Sequence, residues 1–181
     1  MKLKFLACIP FFLILIAPAI HEASHLLSLE LLGKAYRPCF KFSLTGLYGE
    51  IKVFSGINLE ESLFVLSAGF LTNFLIGLFF LFFAWKKSES SFAFLSLVGS
   101  MCLLFHSLMH FFLKGDLATI LQLTDLEFLI PYLPVLGIAS FSILSLIFFK
   151  CGERISLNYL RNIAEVPEED VGHQSQDYEE Y

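Results

Sequence analysis

Apolar residues fall in four long blocks, Phe5–Gly33, Leu63–Trp85, Phe92–Leu113 and Leu126–Phe149, parted by shorter polar stretches. A bilayer core needs about 20 apolar residues per helical span, so each block is long enough to cross one. Between the first two blocks the period changes. Phe40, Phe42 and Leu44 alternate with Lys41, Ser43 and Thr45, and after Gly46 and Gly49 the residues Ile51 and Val53 flank Lys52. Alternation with glycines between reads as a short β-hairpin at the membrane surface. Gly33 suits the left-handed position that ends a helix, "KKSESS" is a polar turn between the second and third blocks, and Pro131 and Pro134 should bend or interrupt the fourth near its start. The expected fold is an all-α integral membrane protein of four transmembrane helices with a small β-hairpin-like element between the first and second. The membrane-embedded core is expected over residues 1–150, with spans near 5–33, 63–85, 92–113 and 126–149.

Past Lys150 the pattern weakens. "ERISLNYLRNI" puts Ile155, Tyr159, Leu160 and Ile163 on one side, which predicts a juxtamembrane amphipathic helix over residues 151–164. Residues 165–181 carry seven acidic side chains between Glu165 and Glu180, with no Lys or Arg and few apolar positions. They read as a disordered tail.

Composition agrees with the pattern: 56% of the 181 residues are hydrophobic, 22 of them Phe, and the mean hydropathy is +0.72. That places the chain in the membrane class, with the lipid bilayer as its surroundings and a multi-pass integral membrane location. The net charge of −5 comes largely from the tail, and no nucleic-acid partner is expected. Lys2, Lys4 and "APA" at Ala17–Ala19 resemble a signal peptide, but the apolar run continues to Leu32, so an uncleaved span is expected. Cys8, Cys39, Cys102 and Cys151 are scattered and read as free thiols. The basic residues divide seven to five in favour of the side that holds both termini, a slight bias toward cytoplasmic termini.

Against that background "PAIHEASHLLSLELLG" is costly. His21, Glu22 and His25 stand in a run with no other charge from Phe5 to Leu29, and a charge at membrane depth costs roughly 2.5–3.5 kcal/mol on the gentlest scale. Residues four apart share a helix face, so His21 and His25 can aim their rings at one metal ion, with Glu22 beside them as the base for a bound water. The bland reading is a pair of packed histidines held by neighbouring helices. A catalytic zinc needs a third protein ligand and an open position, and "CLLFHSLMHFFLKGDLATI" offers two. Asp116 is its only acid, with Gly115 before it. His106 and His110 form a second pair four apart, and either can serve the site as a ligand or by supporting one. Asp116 is equally suited to cap a helix starting at Leu117.

These residues resemble the site-2 protease family of intramembrane zinc metalloproteases. Three features in family order carry the likeness over roughly residues 5–120: "HEASH" in the first core helix, "SAGFLTNFLIG" beside the family's A-G-P-x-x-N-F segment, and "KGDL" where the family has L-D-G. The β-like stretch from Cys39 to Phe54 also falls where members place a membrane-associated β-element. Phe70 stands where the family has proline, the L-D-G order is broken, and the usual upstream Asn and Pro are absent. The resemblance implies a minimal endopeptidase core that cuts transmembrane segments of other proteins, with one zinc ion on His21, His25 and Asp116. It makes Glu22 the general base and sets Asn73 near the substrate's backbone, with Gly69 one turn before it in the same segment; the bland reading is that Asn73 holds membrane helices together and Gly69 is a packing notch. It also puts the loop after the first span in the cytosol, and that order of motifs outweighs the charge count. Two alternatives stand beside it: a catalytically inactive metal-binding membrane scaffold, and a non-proteolytic histidine-ligated metal or haem protein of the membrane. The substrate's identity and the oligomeric state are not written in the chain.

Overall fold

The computed structural model describes residues 8–43, 46–90, 92–112 and 115–164; side chains at Cys8, 40–43, 46–50 and 163–164 are outside the description. The expected acidic tail and the first seven residues lie outside the described residues.

The chain opens with a helical turn, Cys8–Phe11, and a π-helical turn, Phe12–Ile16, which run into α1, Ala17–Leu31. Pro18 explains the widened turn. Its ring clashes with the carbonyl four residues back in a regular helix, and here Ala17 N–H reaches five residues back to Phe12 O. Gly33 adopts φ +63° and ends the helix as expected. Strands β1, Tyr36–Ser43, and β2, Gly46–Val53, then pair antiparallel, from Tyr36 opposite Val53 to Ser43 opposite Gly46. Helix α2, Leu59–Lys86, starts from a capping box in which Asn58 Oδ1 accepts from Glu61 N–H while the Glu61 carboxylate accepts from Asn58 N–H. The Lys34 ammonium lies 2.7 Å from the Glu61 carboxylate and donates to Gly56 O at 2.9 Å, tying the end of α1 to the start of α2.

Helix α3, Ala93–Met109, is antiparallel to α2 and packs closely against it. The buried residues Gly69, Asn73, Gly77 and Leu81 of α2 recur every four positions, forming one ridge. Gly77 lets α3 approach: a Cβ there would sit 2.7 Å from Leu104 Cγ. Ser100 Oγ donates to Gly77 O at 2.7 Å and Ser107 Oγ to Phe70 O at 3.0 Å, so the hydroxyls of α3 find partners on the backbone of α2.

After α3 come a short helix α4, Asp116–Leu123, a 3-10 turn at Glu127–Tyr132, and α5, Leu133–Ala164. The prolines act as expected: Pro131 sits inside the 3-10 turn and α5 begins just before Pro134. The separate amphipathic helix does not exist as such. No proline or turn follows Pro134 as far as residue 164, so α5 runs on through residues 151–164. Its far end docks on the α2–α3 turn, where Cys151 and Ile155 are buried in one cluster with Leu81, Ala84, Ala93 and Leu97. Arg154 lies over the Trp85 ring at 5.0 Å, and Asn158 Nδ2 donates to Ser88 Oγ at 2.8 Å. Tyr159 and Leu160 are exposed.

Among the described residues, three helical stretches are long and apolar enough to cross a membrane: Ile9–Leu31, Leu59–Lys86 and Glu127–Asn162. The expected third span is shorter than foreseen, because Ala93–Met109 ends in a turn at His110 rather than running to Leu113. At 1.5 Å per residue its length is about 26 Å, just under the ~30 Å of a hydrocarbon core. That early ending is what returns Asp116 to the histidines.

Candidate metal centre

Helix α1 presents His21 and His25 one turn apart on the face that packs against α2, and both are buried. Their Nε2 atoms lie 3.0 Å from each other. Asp116, the first residue of α4, brings its Oδ2 to 3.0 Å from His21 Nε2 and 3.1 Å from His25 Nε2. Three donor atoms thus mark a nearly equilateral triangle. Gly115, not Asp116, holds the capping position of α4, and no side chain caps that helix. The carboxylate is engaged with the imidazoles instead.

The chemistry of the donors asks for a cation. His25 Nδ1 lies 2.7 Å from Val65 O, and a carbonyl only accepts, so Nδ1 carries a proton, and the neutral ring, the form that ligates metal, would turn a lone pair at Nε2 toward the cluster. There it meets a carboxylate oxygen, another acceptor. Metal-ligating histidines commonly have their second nitrogen held by a carbonyl in this way. Around a tetrahedral zinc with ~2.0–2.1 Å bonds, ligand atoms are about 3.4 Å apart. A triangle of 3.0–3.1 Å opens to that size with small side-chain shifts. Two imidazoles and one carboxylate fit a zinc ion and leave a position open.

Gly69 makes this approach possible. A Cβ on it would lie 2.5 Å from His21 Cε1 and 2.6 Å from His25 Nε2, so α2 touches both rings with bare backbone. Four residues on, fully buried Asn73 donates through Nδ2 to Ala17 O at 2.9 Å and to His106 Nδ1 at 3.1 Å. Asn73 therefore braces α1 against α3 and is not at the triangle itself. His110 stacks on His21, ring centres 4.7 Å apart and planes 23° from parallel, and His106 stands 5.3 Å from His21. His110 is not part of the tight triangle.

In front of the triangle opens a cavity of about 360 Å³, lined by His21, Glu22, His25 and Asp116 and walled by aliphatic side chains that include Leu29, Ile51, Val53, Val65, Leu66 and Leu123. Glu22 thus faces the same space as the donor atoms. Ile51 and Val53 bring β2 to its rim. One contributor escaped the sequence, the Val65 carbonyl, which no side chain advertises; Gly115, already singled out beside Asp116, also gives room to His110, since a Cβ there would lie 2.8 Å from His110 Nδ1. Val65 does lie four residues before Gly69 on the same ridge.

No known protein family matches the chain, and neither a curated protein nor a solved structure does so.

Proposed function

We propose that this chain is a multi-pass membrane zinc endopeptidase, of the site-2 protease type, that cleaves transmembrane segments of other proteins. The observation that carries the reading is the triangle of His21 Nε2, His25 Nε2 and Asp116 Oδ2 opening on a cavity that Glu22 also lines. His21, His25 and Asp116 would hold the ion. Zinc bound there would supply Lewis acidity toward a peptide carbonyl and lower the pKa of its water toward ~7. The chain's own residues do the rest. Val65 O orients the His25 ring, Gly69 admits both rings beneath α2, and Glu22 takes a proton from water in the cavity and returns it to the leaving amine.

A peptide bond inside a helix is hydrogen-bonded and unreactive, so the substrate must unwind before it reaches the triangle. The β1–β2 hairpin offers open strand edges, and Ile51 and Val53 of β2 already border the cavity. An unwound segment adds to this sheet as a further strand. Its aliphatic side chains match the aliphatic wall.

Elemental analysis of the detergent-purified chain tests the reading. One zinc per chain is expected, lost in H25A and D116A and kept in H110A and E22Q. Zinc that leaves with H110A but stays in D116A would move the site, and a wild-type chain without zinc would end the proposal.

A further inference from the structure

The histidines do not stop at the triangle. His106 and His110 project from α3 and its end toward the same His21, and one nitrogen from each of the three rings lies within 4.8 Å of the others. Neither lines the cavity that His21 and Glu22 share. We propose that His21, His106 and His110 form a second cation site, made of three imidazoles, which takes Cu2+ or Zn2+ and competes with the first site for His21.

Three observations support it. The ring centres are 4.7, 5.3 and 5.9 Å apart, and three imidazoles sharing one ion through ~2.0–2.1 Å bonds hold their centres about 5 Å apart. Second, among the described residues His21 Nδ1 and His110 Nδ1 are buried without a hydrogen-bond partner, although buried polar atoms nearly always have one. His21 is only 5% exposed, so the missing partner is not bulk water. His25 differs, because its Nδ1 is committed to Val65 O. Third, the donor set holds no carboxylate. Three neutral nitrogens suit copper and zinc, with Cu2+ the stronger by the usual order of affinities.

Filling the site requires two adjustments, and both have room. His110 must turn about its Cβ–Cγ bond so that its lone pair converges on that of His21, and Gly115 beside it carries no Cβ to obstruct the ring. His106 now accepts from Asn73 at Nδ1. Binding through Nε2 moves the proton of His106 to Nδ1, and the Asn73 amide turns to present Oδ1, an atom that is buried and unpartnered. That turn gives up the bond to Ala17 O, which makes this the weaker of the two sites. Excess metal therefore draws His21 away from Asp116, and the site acts as a brake on the first.

The test uses the tag-free full chain in detergent with Cu2+ as the probe, read by electron paramagnetic resonance, which counts coordinated nitrogens. In H25A/D116N the first donor set is gone, and one Cu2+ bound by three nitrogens is expected. Adding H110A should weaken that binding by roughly tenfold or more. The wild-type chain gives a second arm that does not depend on how the double variant folds. Its spectrum at excess Cu2+ is expected to mix two-nitrogen and three-nitrogen species, and H110A should leave only the former. Identical wild-type and H110A spectra, or a folded double variant that binds no Cu2+, overturn the second site. A wild-type spectrum of three nitrogens alone, unmoved by D116N, would support it while removing the proposed peptidase centre.

Discussion

Replacing Gly69 by Ala is the sharpest test of how the triangle is built. The added methyl would lie 2.5 Å from His21 Cε1, 2.6 Å from His25 Nε2 and 2.7 Å from His21 Nδ1. Carbon atoms prefer roughly 3.5–4.0 Å, so the overlap exceeds an ångström against two rings at once. The rings cannot step aside freely, because His25 is held to Val65 O on the same ridge, one turn before Gly69. Either the imidazoles rotate out of the triangle or α2 retreats from α1. Overpacking of this kind costs about 1–3 kcal/mol, and 1.4 kcal/mol is a factor of ten in an equilibrium constant. Zinc affinity is therefore expected to fall by roughly five- to 150-fold, measured by chelator competition on purified protein. Gly77→Ala is the control, since its methyl would strike Leu104 Cγ at 2.7 Å, also tight but away from the histidines. It should lower thermal stability without moving zinc affinity. If Gly69→Ala binds zinc as wild type does, or if both variants lose it alike, Gly69 is not the seat of the rings.

Three further outcomes follow from the same geometry. Glu22→Gln should keep its zinc while peptide cleavage falls by about 10²–10⁴-fold, the usual range for a lost general base; cleavage that persists would give the proton transfer to another group. Removing zinc by chelation should lower the melting temperature of wild type but not of Asp116→Asn. The triangle then sets a lone pair against a carboxylate oxygen at 3.1 Å, and an ion at 100 times its Kd stabilises the folded state by about 2.7 kcal/mol. Proline at Phe42 or Lys52 removes a backbone donor from the hairpin and should slow cleavage of a reconstituted single-span substrate with zinc content unchanged. An unaltered rate would rule out strand addition.

The pattern of apolar blocks announced the helices because bilayer length and helix geometry are both local. It could not say where α3 ends, since Phe111 and Phe112 read as more of the same block although the chain turns at His110. Nor could it show that α5 continues past Lys150, which is decided by Cys151 and Ile155 docking against Leu81 and Ala93. At the centre, the i, i+4 spacing placed His21 and His25 together, because one helix carries both. Asp116 and His110 were inseparable by chemistry alone. What distinguishes them is the turn that begins at His110, which leaves His110 stacked on His21, while Asp116 at the start of α4 reaches both Nε2 atoms. The same turn spoiled the expectation of Asp116 as a cap: α4 begins at Asp116 itself, Gly115 takes the capping position, and Asp116 Oδ2 faces the imidazoles. Asn73, expected near a substrate's backbone, is bonded to Ala17 and His106, partners set by helix crossing and not by local sequence.

The two faces of His21 give the centre a direction. Toward α4 and β2 lie Asp116, Glu22 and the aliphatic cavity; toward α3 lie His106, His110 and the buried brace of Asn73. Only the first side joins a carboxylate, Glu22, to open space bordered by Ile51 and Val53 of β2, so under the proposed function a substrate would reach the triangle past those two residues. The other side is closed by α3, whose Ser100 and Ser107 are bonded to the backbone of α2, and an approach there would have to part helices held along the whole Gly69–Leu81 ridge. Access is thus set by the hairpin. Its loop to α2 is fastened where Lys34 meets Glu61 and Gly56, a contact outside the buried core. Under the proposed function a substrate strand would displace that fastening, whereas the α2–α3 ridge beneath the histidines, held by Ser100 and Ser107, would stay in place.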